Sequence, residues 1–325
     1  MRIWSLAVLA CFAVLPAACV SAPRQPIGST IDLPRSDPPL EKPAPPPAVP
    51  DDIVARSAQP FRAQRNADGH TLNQAQLLDE LSHYDVVCLG EAHDAPRDHY
   101  AELAITEGLE RRARVSGRAL GVGFEMFQAP YGDALYRYSI GSLGDAGLRK
   151  RTQYDKRWGY PYAYYQPVLA LGRAYGLPLK ALNASRELTH AVAQQGISDL
   201  PKRLRRQLPD DLNLSDPDHR AEFDKLMTHH PQGVGGANFD ADNFYAAQVV
   251  WDETMADNAA RWVAAHAPSR QLVVLAGSAH CQYPAIPSRI ERREPLRVAS
   301  VRLGAENADD STGFSYTLLF DAEVN

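Results

Sequence analysis

Five short, mostly apolar runs decide what this chain can fold into: Val86–Leu89, Leu120–Phe124, Leu179–Leu182, Leu272–Ala276 and Arg297–Leu303. A strand with one wet face alternates apolar and polar residues. A continuous apolar run instead fits a strand covered on both faces. Between the runs, His99–Arg114 and Asn243–His266 place apolar residues at helical spacing with charges opposite. Strands alternating with helices imply an α/β fold, with a largely parallel central sheet flanked by helices. A last strand, within Gly313–Asp321, is expected at a sheet edge. Two stretches break the alternation. Ala129–Gln166 carries eight tyrosines and Trp158, and Asp210–Asn243 carries His219, His229 and His230. They read as helical excursions forming a lid or binding region, or as helices decorating the sheet.

The N-terminus must be set aside before the fold is considered. A basic start, an apolar run over Ile3–Leu15 and Pro16-Ala17-Ala18-Cys19 read as a lipoprotein-type signal peptide over residues 1–18. The run is shorter than the roughly 20 residues a membrane span needs. Cys19 is the expected lipidation site, although Pro16 stands where a lipobox usually has Leu. Residues 19–55 form a Pro-rich linker, too extended for a helix or central strand. Residues 56–325 remain as a single α/β domain. The expected setting is the bacterial cell envelope, with the domain lipid-anchored to a membrane.

The formal net charge is −5, which argues against a nucleic-acid partner. The basic cluster Lys202–Arg206 reads as a solvated helical face. Beyond Cys11 and Cys19, two cysteines remain. In an exported domain Cys88 and Cys281 could pair. Cys88 sits inside an apolar strand, however, and the reading leans to a buried unpaired thiol.

Three strands end in ionisable residues: Gly90-Glu91-Ala92-His93, Gly123-Phe124-Glu125 and Gly277-Ser278-Ala279-His280. Residues past the carboxyl ends of parallel strands share one crevice. Glu91, His93, Glu125 and His280 are therefore expected to converge, as ligands of a divalent metal ion or as acid–base groups. Taken singly, each also reads as a structural residue, Glu125 for instance as a cap on backbone N–H groups. No dinucleotide fingerprint, phosphate loop or nucleophile elbow is present.

The motifs LGEAHD, GFEMF, WGY…YYQP (Trp158–Pro167), ALNASR (Ala181–Arg186), QVVWDETMA (Gln248–Ala256), AGSAH and AIPSRI occur in order across about residues 75–300. Together the chain resembles the ChaN-type haem-binding lipoproteins of the Tiki/TraB/erythromycin-esterase superfamily. The resemblance implies a haem-binding protein rather than an enzyme, acting in haem or iron uptake at the outer membrane with haem-transport machinery as a partner. It also implies a homodimer enclosing two stacked haems, with a tyrosinate on each iron and a histidine assisting. Tyr162 and Tyr165 are the candidate ligands, with Tyr131 behind them and Phe127, Trp158 and His93 around the macrocycle. Tyrosinate is a hard anionic donor suited to ferric iron. Superfamily relatives use strand-end Glu and His residues for hydrolysis. The alternative is thus a metal-dependent hydrolase, peptidase- or esterase-like, in which His93 and His280 hold the metal and a glutamate acts as base.

Overall fold

The computed structural model describes residues 61–228, 240–304 and 311–320. The expected signal peptide, Cys19, the expected linker, His229, His230 and Asp321 lie outside the described residues. The chain opens with a hairpin, β1 (Phe61–Arg65) and β2 (His70–Asn73), then α1 (Gln74–Leu81). Asn73 starts α1 through a capping box, its side chain accepting from the Gln76 N–H and Gln76 returning a bond to the Asn73 N–H. β3 (Val86–Glu91), α2 (Pro96–Ser116) and β4 (Ala119–Gln128) follow. The tyrosine-rich stretch is helical: α3 (Gly132–Ser139), α4 (Asp145–Thr152), α5 (Tyr154–Arg157) and α6 (Tyr162–Tyr175). Then come β5 (Leu179–Asn183), α7 (Arg186–Gln195), α8 (Lys202–Arg205), α9 (Pro217–Thr228) and the long α10 (Ala241–Ala264). The chain closes with β6 (Arg270–Gly277), α11 (Ser278–Cys281), α12 (Ile286–Arg293), β7 (Val298–Arg302) and β8 (Tyr316–Phe320).

All eight strands form one sheet in the order β2-β1-β8-β7-β3-β6-β4-β5. From β8 to β5 every pairing is parallel, and only the β1 hairpin joins antiparallel. The α/β reading therefore holds. The expectation of an edge position for the last strand does not. β8 is interior, because β1 pairs with its outer side and shields it.

Strand parity sorts the core into two layers. Val87 and Leu89 of β3, with Val273 and Leu275 of β6, pack beneath α1, α2, α3 and α6. Val86 and Cys88, with Leu272, Val274 and Ala276, face α10 and α12 on the other side. This double cover is why the strands carry no polar alternation. On the α10 side β4 presents Gly121, where an added Cβ would meet the Trp262 ring at 2.6 Å. Glycine there lets α10 lie close to the sheet. Among the described residues no helix is long and apolar enough to cross a membrane.

Cys88 and Cys281 form a disulfide, which corrects the unpaired reading. Parity explains it: Cys88 points to the α10 side, where the turn after β6 brings Cys281. The bond joins residues 193 apart in sequence. Chain-entropy reasoning assigns so long a loop about 5 kcal/mol, with about 2–5 kcal/mol the usual measured cost of losing a native disulfide. Peptide mapping of the non-reduced protein should recover the two segments linked. In urea titrations the Cys88→Ala/Cys281→Ala variant should lose stability in that range, and an unchanged midpoint would count against a constraining role.

Candidate functional site

The strand-end acids do arrive together, but on opposite faces. Glu91 is paired in register with Gly277, placing the ends of β3 and β6 side by side. By parity Glu91 projects toward α2 and α6, while Glu125 of β4 projects toward α10. Each acid anchors its own polar cluster.

On the α2 side the Glu91 carboxylate is fully enclosed. Its Oε1 accepts from the Tyr165 hydroxyl at 2.8 Å and lies 2.5 Å from His93 Nδ1. Its Oε2 stands 3.1 Å from His99 Nδ1. The same nitrogen lies 3.1 Å from Glu102 Oε2, and the opposite ring nitrogen of His99 donates to the backbone oxygen of His93 at 3.1 Å. Burial opposes charge on Glu91, but the hydrogen bonds and positive charge of His93 and His99 hold it well below the usual carboxylate range. Burial likewise opposes charge on His99, but Glu102 and Glu91 push its pKa up to about 11. Burial and the charge on Glu91 drive Glu102 well upward.

On the α10 side His280 Nδ1 lies 2.5 Å from Asp252 Oδ1, and its Nε2 lies 3.3 Å from Glu125 Oε1. Asp252 Oδ2 lies 2.9 Å from His219 Nε2, whose Nδ1 is 3.2 Å from the Tyr245 hydroxyl. Glu125 Oε2 accepts the Gly277 N–H at 2.7 Å, so this acid does bind backbone, though on β6 rather than on its own next segment. Gly277 is the hinge between the clusters. A Cβ there would stand 2.9 Å from His93 Nε2 and 3.7 Å from Glu125 Oε2.

The tyrosines divide by what their hydroxyls do. Tyr162 donates to Asp145 at 2.6 Å and Tyr165 donates to Glu91, so both are tied inside the core. Burial pushes both phenols upward. Phe127 is buried against Phe124 and Tyr154. Trp158 is half-buried, edge-on to the His93 ring with centroids 5.0 Å apart. Tyr160 and Tyr164 flank the same rim, 4.9 Å from His93 and 4.5 Å from His99. Tyr131 is half-buried, with the Arg157 guanidinium 5.2 Å over its ring. A separate cavity of about 400 Å³ opens beyond β4 and β5, with Arg206, Asp210, Asp257 and Arg261 in its wall.

Glu91, His93, Glu125 and His280 therefore lie close, but as two imidazole–carboxylate pairs rather than one ligand sphere. The grouping within metal-ligand range among the described residues is Glu91, His99 and Glu102. His99, Glu102, Asp252 and His219 were not singled out by the motifs at the strand ends. The signal for Asp252 was an acid within an otherwise apolar helical face of QVVWDETMA.

A family model for haem-binding uptake proteins of the Tiki superfamily, ChaN, matches residues 77–290. No curated protein matches the chain by sequence. Among solved structures, the fold is similar to that of ChaN of Campylobacter jejuni, determined with cofacial haem. Its TM-score is 0.66 at 18% identity, covering 82% of this chain and 98% of that one. An erythromycin esterase in its open conformation gives a TM-score of 0.43 at 13% identity, covering 80% of this chain and 82% of that one. A toxin effector domain from Vibrio vulnificus gives 0.38 at 15% identity, covering 76% and 37%.

The Asp252–His280 pair generates a pH test. Burial raises the Asp252 carboxyl, but the His280 charge and the bonds to His219 and His280 outweigh it and hold the group well below its ordinary range. Its contribution to stability is thus present above about pH 4 and lost as pH falls further. Glu125 and Asp252 raise His280 well above its ordinary value despite burial. That contribution is complete below about pH 6.5 and lost as pH rises through the folded value. Urea titrations across pH should show the pair stabilising most between these limits. Asp252→Asn should lower stability by about 3–5 kcal/mol in that window, because it leaves a buried imidazole without its counter-charge.

Proposed function

The chain belongs to the ChaN-type haem-binding uptake family of the Tiki superfamily, and from that membership we propose that it binds haem at the aromatic rim beside His93. One observation carries the location. Tyr131 under Arg157, Trp158 next in sequence, and His93 edge-on to Trp158 form a contiguous line. Tyr131 is the axial ligand in this reading. It is the half-buried one of the three tyrosines considered, and Arg157 sets a positive charge beside a phenolate on ferric iron. Tyr165 holds the excursion to the sheet through Glu91, and Tyr162 ties α6 to α4 through Asp145. Phe127 backs the wall, and Trp158 with Tyr160 supplies apolar cover for a flat macrocycle. His93 assists from the crevice side: its Nδ1 is committed to Glu91, and its Nε2 makes no hydrogen bond among the described residues. The haem would supply the iron centre; the chain's residues bind and orient it.

The rest of the reading follows from the same membership. The protein is anchored through Cys19 to the outer membrane, spaced from it by the Pro-rich linker, and passes haem to uptake machinery. The Cys88–Cys281 disulfide supports an oxidising compartment such as the cell envelope. Pairing with a second copy is supported by the end of α3, where Tyr136 and the capping residue Ile140 are 60% and 52% exposed one turn apart. The mixed charges lining the 400 Å³ cavity suit a macrocycle less well. The hydrolase reading is not favoured, because both strand-end acids are already paired with imidazoles in buried clusters.

Titrating the purified full-length chain with hemin should give a shifted Soret band and haem that stays with the protein on gel filtration. Tyr131→Phe should weaken binding at least tenfold, about 1.4 kcal/mol, and change the ferric charge-transfer bands. Tyr165→Phe should lower thermal stability while leaving those bands in place. Absence of any Soret shift at micromolar protein would sink the proposal.

A further inference from the structure

We propose that Glu91, His99 and Glu102 form a binding site for a divalent first-row transition cation, buried behind the strand-end crevice and separate from the haem rim. One nitrogen and two carboxylate oxygens, one from each residue, lie within 4.8 Å of one another. His99 Nδ1 is 3.1 Å from an oxygen of each acid. That spacing is what neighbouring ligands adopt around an ion with bonds of about 2.0–2.2 Å.

Three observations beyond the acidic grouping point to a ligand. First, Glu102 Oε1 is a fully buried oxygen that makes no hydrogen bond, and Glu91 Oε2 has only the 3.1 Å contact with His99 Nδ1. Buried polar atoms are ordinarily satisfied, so a carboxylate oxygen left unpartnered calls for an explanation. Second, the ring of His99 is oriented from behind. Its Nε2 faces the His93 backbone oxygen, which only accepts, so that nitrogen carries the proton. Nδ1 then faces an oxygen of each acid at 3.1 Å, a place that a proton fills in the metal-free chain and that a cation would take over by displacing it. Third, the remaining atoms are braced as metal ligands commonly are. Glu91 Oε1 is held by Tyr165 and His93, and Tyr164 stacks on the His99 ring at 4.5 Å. Outer hydrogen bonds of this kind orient ligands and fix the tautomer. Imidazole with two carboxylates suits Zn²⁺, Fe²⁺ or Mn²⁺ rather than the all-oxygen sets of Ca²⁺ and Mg²⁺.

Zn²⁺ is the probe. The full chain, prepared without haem and stripped with chelator, should retain about one equivalent of zinc through gel filtration, as expected for a single site. Losing an outer-shell partner alone costs about 10–100-fold in affinity, so His99→Gln and Glu102→Gln should each cost at least about 100-fold in a competition assay with a chromophoric chelator. X-ray absorption of the zinc-loaded wild-type chain needs no variant to fold. It should show only nitrogen and oxygen neighbours at about 2.0–2.2 Å, with the outer-shell signature of a single imidazole. No retained zinc, undiminished affinity in both variants, a sulfur shell or a multi-histidine shell would each overturn the site. The hemin titration is read independently, so either result stands without the other.

Discussion

The strand-end region hangs on the burial of one carboxylate, that of Glu91. An ionised acid at 1% exposure costs several kcal/mol unless its oxygens are matched by donors or positive charge. The chain meets that requirement from three places at once: His93 in the loop after β3, His99 on α2, and Tyr165 on α6. These contacts fix α2 and α6 relative to the sheet more tightly than apolar packing, which tolerates small slides. Tyr165 also orients the segment that carries Trp158 and Tyr160. The geometry of the aromatic rim is therefore inherited from a buried acid that makes no contact with solvent.

The opposite face repeats the logic with different parts. Glu125, His280, Asp252 and His219 form a chain of alternating carboxylates and imidazoles reaching from β4 through α11 to α10 and α9. The disulfide sits one residue beyond His280 and joins α11 to β3. The turn that delivers this histidine is thus fixed covalently as well as electrostatically. Gly277 lies between the two clusters because any side chain there would enter the space of His93. A small residue at the end of β6 is what lets both clusters approach the same sheet end, where Glu125 and His93 act on each other's charge.

Much of this was legible in the sequence. Continuous apolar runs marked the central strands because those strands are covered on both faces. The glycine-plus-acid endings marked where the polar groups would gather. The four groups at neighbouring strand ends do come close around Gly277. What strand endings alone did not carry is how they pair: Glu91 follows Val87 and Leu89 onto one face, whereas Glu125 follows Phe124 and so turns to the other. His99 and Glu102 were hidden for a related reason. Three residues apart on an amphipathic helix, they look like part of a solvated stripe, yet α6 covers that stripe and makes it interior. The Cys88–Cys281 bond was obscured by its 193-residue span and by the apolar run around Cys88. The interior place of β8 depended on a hairpin whose short, polar strands gave little apolar signal.

The tyrosines show most clearly where composition stops and structure begins. In sequence the members of the excursion are interchangeable, eight phenols within Ala129–Gln166. Folding separates them by an elementary requirement: a buried hydroxyl must find a partner. Tyr138 and Tyr162 find Asp145, Tyr154 finds a backbone oxygen, and Tyr165 finds Glu91. A phenol tied in this way serves the fold, and redirecting it to a metal would leave a buried acceptor empty. A ligand for a large flat cofactor has the opposite needs, an open edge and nearby positive charge. Tyr131 beneath Arg157 combines the two, whereas Tyr138 and Tyr162, each with a guanidinium over its ring, are buried and tied to Asp145. The density of tyrosine in this segment thus reflects separate demands: Tyr138, Tyr154 and Tyr162 tie the helices of the excursion to one another, Tyr165 ties them to the sheet end, and the rest face the surface that those helices present.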